Sequence, residues 1–325
     1  MRGLWPGAEH SARHFRTSEC RRRPEVRKRL AGGGALRDDG AVKAADYTRL
    51  VLLAAIWGAS FIFQRVIAPV LGPVLTAESR VLIAGLALLA WYQLTRFDPG
   101  WRAHWRAYLA VGVVNSALPF ALYGFAAMHA PASLLALLNS SAPLFGAVFG
   151  ALWLGERFTP AKSIGLGCGA AGVALVSQPD AALASPFFGW AVAASLAACL
   201  CYGCTGVLMR KLAADAPPRG VAIGSQLLAA AALLPLVPLS PPLAAPSALV
   251  LANTLALGVL CGAVAYVLYF RLIADVGATR ALTVTYLVPL FGVLWGALFL
   301  GEALPASALG GGGLILAGTV LVTRG

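Results

Sequence analysis

One apolar, glycine-studded phrase occurs twice in this chain: Pro143-Leu-Phe-Gly through Leu154-Gly155-Glu156 returns as Pro289-Leu-Phe-Gly through Leu300-Gly301-Glu302. The offset is 289 − 143 = 146, and ten of the fourteen positions are identical. Each copy occupies the same place in one of two equally long hydrophobic halves, so the chain reads as an internally duplicated membrane protein. Composition agrees: 59% of residues are hydrophobic, only 12% are charged, and the mean hydropathy is +0.78. An ordinary soluble domain carries roughly 25% charged residues, so the composition argues against a soluble fold of this size.

Beyond residue 50, apolar stretches of about the length a bilayer-crossing helix needs, roughly 20 residues, alternate with short breaks that hold most of the remaining charge. They predict ten spans, near 48–68, 74–95, 106–127, 131–154, 160–178, 187–209, 219–238, 248–271, 279–300 and 305–323. A membrane barrel requires strict alternation over segments of roughly ten residues, whereas Ala191 to Val207 is continuously small and apolar. The expected fold class is therefore an all-α membrane protein.

Twelve of the 25 Lys and Arg residues precede residue 50. The later ones gather in alternate breaks, at Arg96, Arg102 and Arg106, at Arg157 and Lys162, at Arg210, Lys211 and Arg219, at Arg271 and Arg280, and at Arg324. By the positive-inside rule both termini are cytoplasmic, which requires an even number of spans. Five spans per half is odd, so the second half enters the membrane from the opposite side. Residues 48–178 and 187–323 are thus expected to be inverted repeats around a midplane site that opens to either face in turn, the architecture of an alternating-access transporter. The match extends to Trp57-Gly58-Ala-Ser60 with Arg65 against Tyr202-Gly203-Cys-Thr205 with Arg210, and to Tyr123 against Tyr269.

Trp57-Gly58-Ala-Ser60-Phe61, Glu78-Ser-Arg80 and the paired Pro-Leu-Phe-Gly…Leu-Gly-Glu blocks resemble the EamA family of the drug/metabolite transporter superfamily, over roughly residues 48–323. The resemblance implies a ten-helix, multi-pass inner-membrane carrier that exports, or sometimes imports, small metabolites or amino-acid-like compounds. A polytopic membrane enzyme and a channel or sensory module are the rival classes. The enzyme is disfavoured because no cluster of His, Asp or Glu recurs outside Asp38-Asp39. A phosphate loop of the form G-x-x-x-x-G-K-[ST] is also absent from the sequence, which excludes ATP-driven pumping by this chain.

Residues 1–46 are basic, with Arg21-Arg-Arg23 and Arg27-Lys-Arg29, and contain no apolar run. They read as a disordered cytoplasmic tail, with a basic arm on anionic lipid and an over-extended reading frame as alternatives. Removing residues 1–49 leaves 13 basic and 7 acidic groups, or 13 − 7 = +6, which the positive-inside breaks account for. The expected partners are a small-molecule substrate and the lipid bilayer, with a homodimer left open and no nucleic acid. Cys201-Tyr-Gly-Cys204 lies mid-membrane, and the four His, at 10, 14, 104 and 129, form no ligand set. No metal and no cofactor are expected.

Ionisable groups inside a membrane are functional candidates by default. Arg80 is the candidate for a substrate carboxylate, Glu78 for a transported proton, and Arg65 for an ion pair with Glu78. Snorkelling of this trio at the outer interface is the competing reading. Pro119, Pro143 and Pro289 each free a backbone carbonyl beside polar clusters at Asn115 and Ser116, at Asn139, Ser140 and Ser141, and at Thr283, Thr285 and Tyr286. These clusters, with Trp57, Ser60, Tyr202, Tyr266, Tyr269 and Gln226, are the expected cavity lining. Single hydroxyls that bond back to their own helix and aromatics that merely pack are the alternatives. The repeated phrase itself is expected to pack helices through Gly146, Gly150, Gly292 and Gly296, with Glu156 and Glu302 facing the N-termini of the helices that follow.

Overall fold

A computed structural model describes residues 44–94, 97–178, 185–281 and 283–324, and among them there is no β-strand. The basic tail expected over 1–46 lies outside the described residues except for 44–46, which open the first helix. The helices are α1 (Ala44–Gln93), α2 (Trp101–Gly112), α3 (Leu118–His129), α4 (Ala132–Asn139), α5 (Ala142–Leu154), α6 (Pro160–Val176) and α7 (Phe188–Leu212). The second half continues with α8 (Pro218–Leu233), α9 (Ala248–Ala256), α10 (Ala265–Val276), α11 (Ala278–Ala281), α12 (Val284–Leu300) and α13 (Ala306–Arg324). Seven helical stretches are long and apolar enough to cross a membrane, and α6 and α12 are shorter apolar helices. Hydrocarbon offers no partner for a free backbone amide, so helices that satisfy their own backbone are the form this sequence can take.

The first stretch, 50 residues long, is two arms that turn at Gly72, where φ is 77° and ψ is 170°. Side chains are strained in that region and glycine is not. Pro69 and Pro73 flank the turn, and the Thr76 hydroxyl donates to the Gly72 carbonyl at 2.7 Å. The break falls between the spans expected at 48–68 and 74–95.

Two π-helical segments interrupt otherwise regular stretches: Val113–Ala117 joins α2 to α3, and Leu257–Val264 joins α9 to α10. They fall at equivalent places, since 113 + 146 = 259. In the first, Pro119 has no N–H to give to the carbonyl four residues back, that of Asn115, and the widened turn takes up the mismatch. The repeated phrase, by contrast, differs between the halves. The stretch through Pro143 is interrupted at Ser140 and Ser141, whereas Pro289 lies inside the unbroken α12.

The halves meet through glycines. A Cβ added at Gly203 would lie 2.7 Å from the Gly146 amide nitrogen, and one added at Gly58 would lie 2.9 Å from that of Gly292. These pairs correspond, because 203 − 58 = 145 and 292 − 146 = 146. Between α6 and α13, a Cβ at Gly165 would meet the Gly318 carbonyl at 2.7 Å, and one at Gly172 would meet the Gly311 carbonyl at 2.6 Å. Adding 146 turns Gly165 into Gly311 and Gly172 into Gly318, so each contact maps onto the other with its partners exchanged. Such reciprocity is the signature of a local twofold.

The glycines of the repeated phrase therefore do pack helices, but the carboxylates differ from expectation. Gly155 and Gly301 end their helices in the left-handed region, at φ 68° and 65°. Glu302 then reaches back to α4 rather than to the following α13. Glu156 pairs with Arg210 and Lys162. Free amides or a guanidinium offer a carboxylate more than the start of the next helix, where Pro160 and Pro305 lack a donor.

Substituting Gly203→Val is expected to push α7 off the Phe145–Gly146 backbone and cost about 1–3 kcal/mol. Gly206→Ala, with nothing within 4 Å of the added Cβ, is expected to be neutral or stabilising by up to about 1 kcal/mol. Thermal unfolding of the purified protein in detergent would separate the two, and equal midpoints would refute close glycine packing at this crossing.

Candidate functional site

Arg80 lies on the second arm of α1 and is only 8% exposed. Its guanidinium carbon stands 3.7 Å from the centroid of the Phe120 ring on α3, a cation–π contact worth about 2 kcal/mol when desolvated. Among the described residues no carboxylate pairs with it. Tyr202 of α7, Tyr266 of α10 and Cys261 of the second π segment lie within electrostatic reach of its charge. A positive charge with one aromatic face covered and no counter-ion leaves its donors for an anionic or carbonyl oxygen.

Beside it runs a buried uncharged network. The Gln226 amide on α8 donates to the Ser116 hydroxyl at 2.9 Å and to the Tyr266 hydroxyl at 3.4 Å. Tyr266 also lies close to Asn115 and Ser116. The first π segment thus delivers Asn115 and Ser116 to the same point that Tyr266 reaches from the other half. Adjacent to this, the Tyr123 hydroxyl donates to Asn139 Oδ1 at 3.0 Å and meets Cys199 Sγ at 3.3 Å. The Tyr123 and Tyr202 rings stack at 6.3 Å, and Trp57 lies against Tyr269 at 5.3 Å. Arg80, Asn115, Asn139, Tyr202 and Tyr266 therefore occupy linked clusters, with Trp57 on a neighbouring aromatic pair.

Three other expected lining residues, Ser60, Ser140 and Tyr286, direct their hydroxyls to partners outside these clusters. The Ser60 and Ser140 hydroxyls donate to carbonyls of their own helices, those of Trp57 and Leu137 at 2.7 and 2.5 Å. A hydroxyl without a nearer polar partner bonds to its own backbone in an apolar setting, and both residues satisfy that alternative. The Tyr286 hydroxyl meets the Thr323 hydroxyl of α13. Thr285 is half-buried at the start of α12.

Arg65 is not paired with Glu78. It donates to the Ala127 carbonyl at 2.6 Å, in the last turn of α3, where unsatisfied carbonyls and the negative helix end attract a cation. Glu78 is 7% exposed and its Oε2 has no hydrogen-bond partner. Gln64, one turn after Ser60, likewise has an unpartnered Oε1 while its amide donates to the Ser60 carbonyl at 3.1 Å. Phe120 and Gln64 are the site residues that sequence reasoning passed over. Gln64 could have been noticed as a bulky amide inside an apolar span, whereas nothing in an isolated Phe marks it as a seat for arginine.

The model of the EamA-like transporter family matches residues 47–178 and again 189–324. The chain belongs to the EamA-like transporter family. It is similar to a protein of Streptantibioticus cattleyicolor named as a probable terminal-alkyne amino-acid exporter, 29% identical over 85% of this chain and 92% of that one. It is also similar to an uncharacterized transporter, YvbV, of Bacillus subtilis, 28% identical over 86% of this chain and 93% of that one. A solved crystal structure shares the fold, with a TM-score of 0.61 at 22% identity, covering 87% of this chain and 97% of the other. This EamA-like protein is accordingly a multi-pass membrane protein and a secondary transporter. Its relatives are transporters, not enzymes.

Replacing Gln226 with Leu removes the donor shared by Ser116 and Tyr266 and is expected to destabilise the EamA-like protein by about 1–3 kcal/mol. Ser60→Ala and Ser140→Ala each lose only a bond within one helix and are expected to stay within about 0.5 kcal/mol. Thermal midpoints of the three variants would check this, and a Ser60 or Ser140 loss as large as that of Gln226 would contradict the placement.

Proposed function

We propose that this EamA-like protein carries a small amphipathic, amino-acid-like metabolite across the inner membrane, exporting it by alternating access. The observation that carries the reading is the buried Arg80: a guanidinium seated on Phe120, without a carboxylate partner among the described residues, beside the amides and hydroxyls of Gln226, Asn115, Ser116 and Tyr266. Arg80 takes the substrate carboxylate, and the uncharged network and the tyrosine faces take the rest. One fixed cation suits one carboxylate. A multiply charged phosphate or sugar nucleotide would call for several Lys or Arg.

Ten spans in two inverted sets of five, with both termini cytoplasmic, are the topology we assign. It is supported by the turn at Gly72, which divides α1 into two arms, by the interrupted stretch 278–300 as a further crossing, and by the alternation of Lys and Arg between breaks. The export direction leans on the name of the Streptantibioticus cattleyicolor relative. Glu78 carries the coupling proton, since a buried ionised carboxylate without a partner is costly and its Oε2 has none.

Counterflow into proteoliposomes tests the assignment. Preloading with an unlabelled apolar amino acid is expected to drive saturable uptake of the labelled compound, and the corresponding decarboxylated amine is expected not to compete. Arg80→Gln should raise the half-saturating concentration about tenfold or more, the effect of losing one charge-assisted hydrogen bond. Glu78→Gln should keep exchange but lose net flux driven by a pH gradient. Full activity of Arg80→Gln, or equal competition by the amine, would remove Arg80 from substrate recognition. Undiminished pH-driven flux in Glu78→Gln would remove the proton from Glu78.

A further inference from the structure

The two Leu-Gly-Glu exits are copies of one another, yet their carboxylates are held in different ways. Glu302 is docked on the first turn of α4, a helix of the other half. The Ala132 and Ser133 amides each donate to it at 2.8 Å, and the Ser133 hydroxyl donates at 2.5 Å. Three donors at a helix N-terminus converge on a single anion, a charge-assisted set. Behind it Ala132 through Leu138 are all buried, so the junction between α4 and the end of α12 is closely packed at this mouth of the assigned topology.

Glu156 stands at the equivalent exit, since 302 − 156 = 146, and it is undocked. It is held by Arg210 Nη1 at 2.6 Å and Lys162 Nζ at 3.7 Å, with its side chain 34% exposed. The counterpart of Ala132–Ser133 is Ala278–Thr279, since 278 − 132 = 146, and just beyond it Arg280 and Thr283 are exposed. Arg210, in turn, is the counterpart of Arg65, since 210 − 65 = 145. Arg65 is at present spent on the Ala127 carbonyl. Each glutamate therefore has two potential partners in the other half, backbone amides that open an interrupted stretch and an arginine. One mouth displays the first choice and the other mouth the second.

We propose that Glu302 and Glu156 are reciprocal latches of the transport cycle, one docked while the other is released to its arginine. Passage to the opposite conformation moves Glu302 from the Ala132 and Ser133 amides to Arg65, and moves Glu156 from Arg210 to the 278–279 backbone. Undocking at one mouth is offset by docking at the other. A duplicated chain can then hold two conformations of similar free energy, as a carrier that must visit both requires. The different interruption points of the two copies, at 140–141 in one and before Val284 in the other, are what two halves caught in opposite conformations would show.

Hydrogen–deuterium exchange of the full chain in lipid nanodiscs, read by mass spectrometry without substrate, tests the exchange independently of what is carried. Glu302→Gln is expected to speed exchange in residues 131–138 about tenfold and to slow it in residues 278–283. Glu156→Gln is expected to do the reverse at both places. Residues 160–176 and 306–324, the α6 and α13 pair, serve as the folding control. If Glu302→Gln also releases that pair, Ser133→Ala decides, since it removes one donor and leaves the carboxylate. It should give a smaller shift of the same reciprocal sign. A change confined to the substituted mouth, both mouths loosening together, or no change at either would each overturn the proposal.

Discussion

Lipid tails are as apolar as leucine, so nothing squeezes membrane helices together as water squeezes a soluble core, and close backbone contact has to supply the cohesion. In this chain that contact comes from glycine set against glycine. Gly165 and Gly172 of α6 face Gly318 and Gly311 of α13, while Gly58 and Gly203 let their helices rest on the two copies of Phe-Gly in the repeated phrase. Each of these contacts has a twin under the 146-residue offset. A frame fastened by paired contacts can turn one half against the other without inventing new surfaces, and the polar clusters lie where residues of the two halves meet.

At those clusters the chemistry is sparse: one guanidinium on an aromatic face, a glutamine, a few hydroxyls and amides, and a carboxylate with a free oxygen. Burying an ionisable group away from water is costly unless it is paired, so Glu78 and Arg80, both buried and two residues apart on one helix, are a considerable expense. The π segments supply the rest. They fall at equivalent places of the two halves, at 113–117 and 257–264, and the first carries Ser116, whose hydroxyl accepts from the Gln226 amide.

Much of this was legible beforehand, and the reason lies in periodicity and repetition. The helices were readable because spans near 20 apolar residues leave few alternatives, and the glycine role of the repeated phrase because small residues four apart mark a crossing. Proline positions led to Asn115 and Ser116 because a missing amide must disturb the backbone four residues earlier. Individual side chains were harder. For Ser60, Ser140 and Tyr286 the direction of the hydroxyl depends on which polar group is nearest, and a span written as a string does not reveal that. Arg65 found a helix end instead of Glu78 for a similar reason. The docking of Glu302 on Ala132 and Ser133 joins residues 302 − 132 = 170 apart, a contact that only the assembled halves create.

The account depends above all on the inversion of the two halves, and cysteine labelling in intact cells tests that most directly. Arg157 and Ala303 are exposed, directly follow the two copies of Gly-Glu and are 303 − 157 = 146 apart. With the native cysteines replaced, Arg157→Cys should react with a membrane-impermeant maleimide only after the cytoplasmic face is opened, and Ala303→Cys should react in intact cells. Labelling of both from the same side would contradict the inverted duplication.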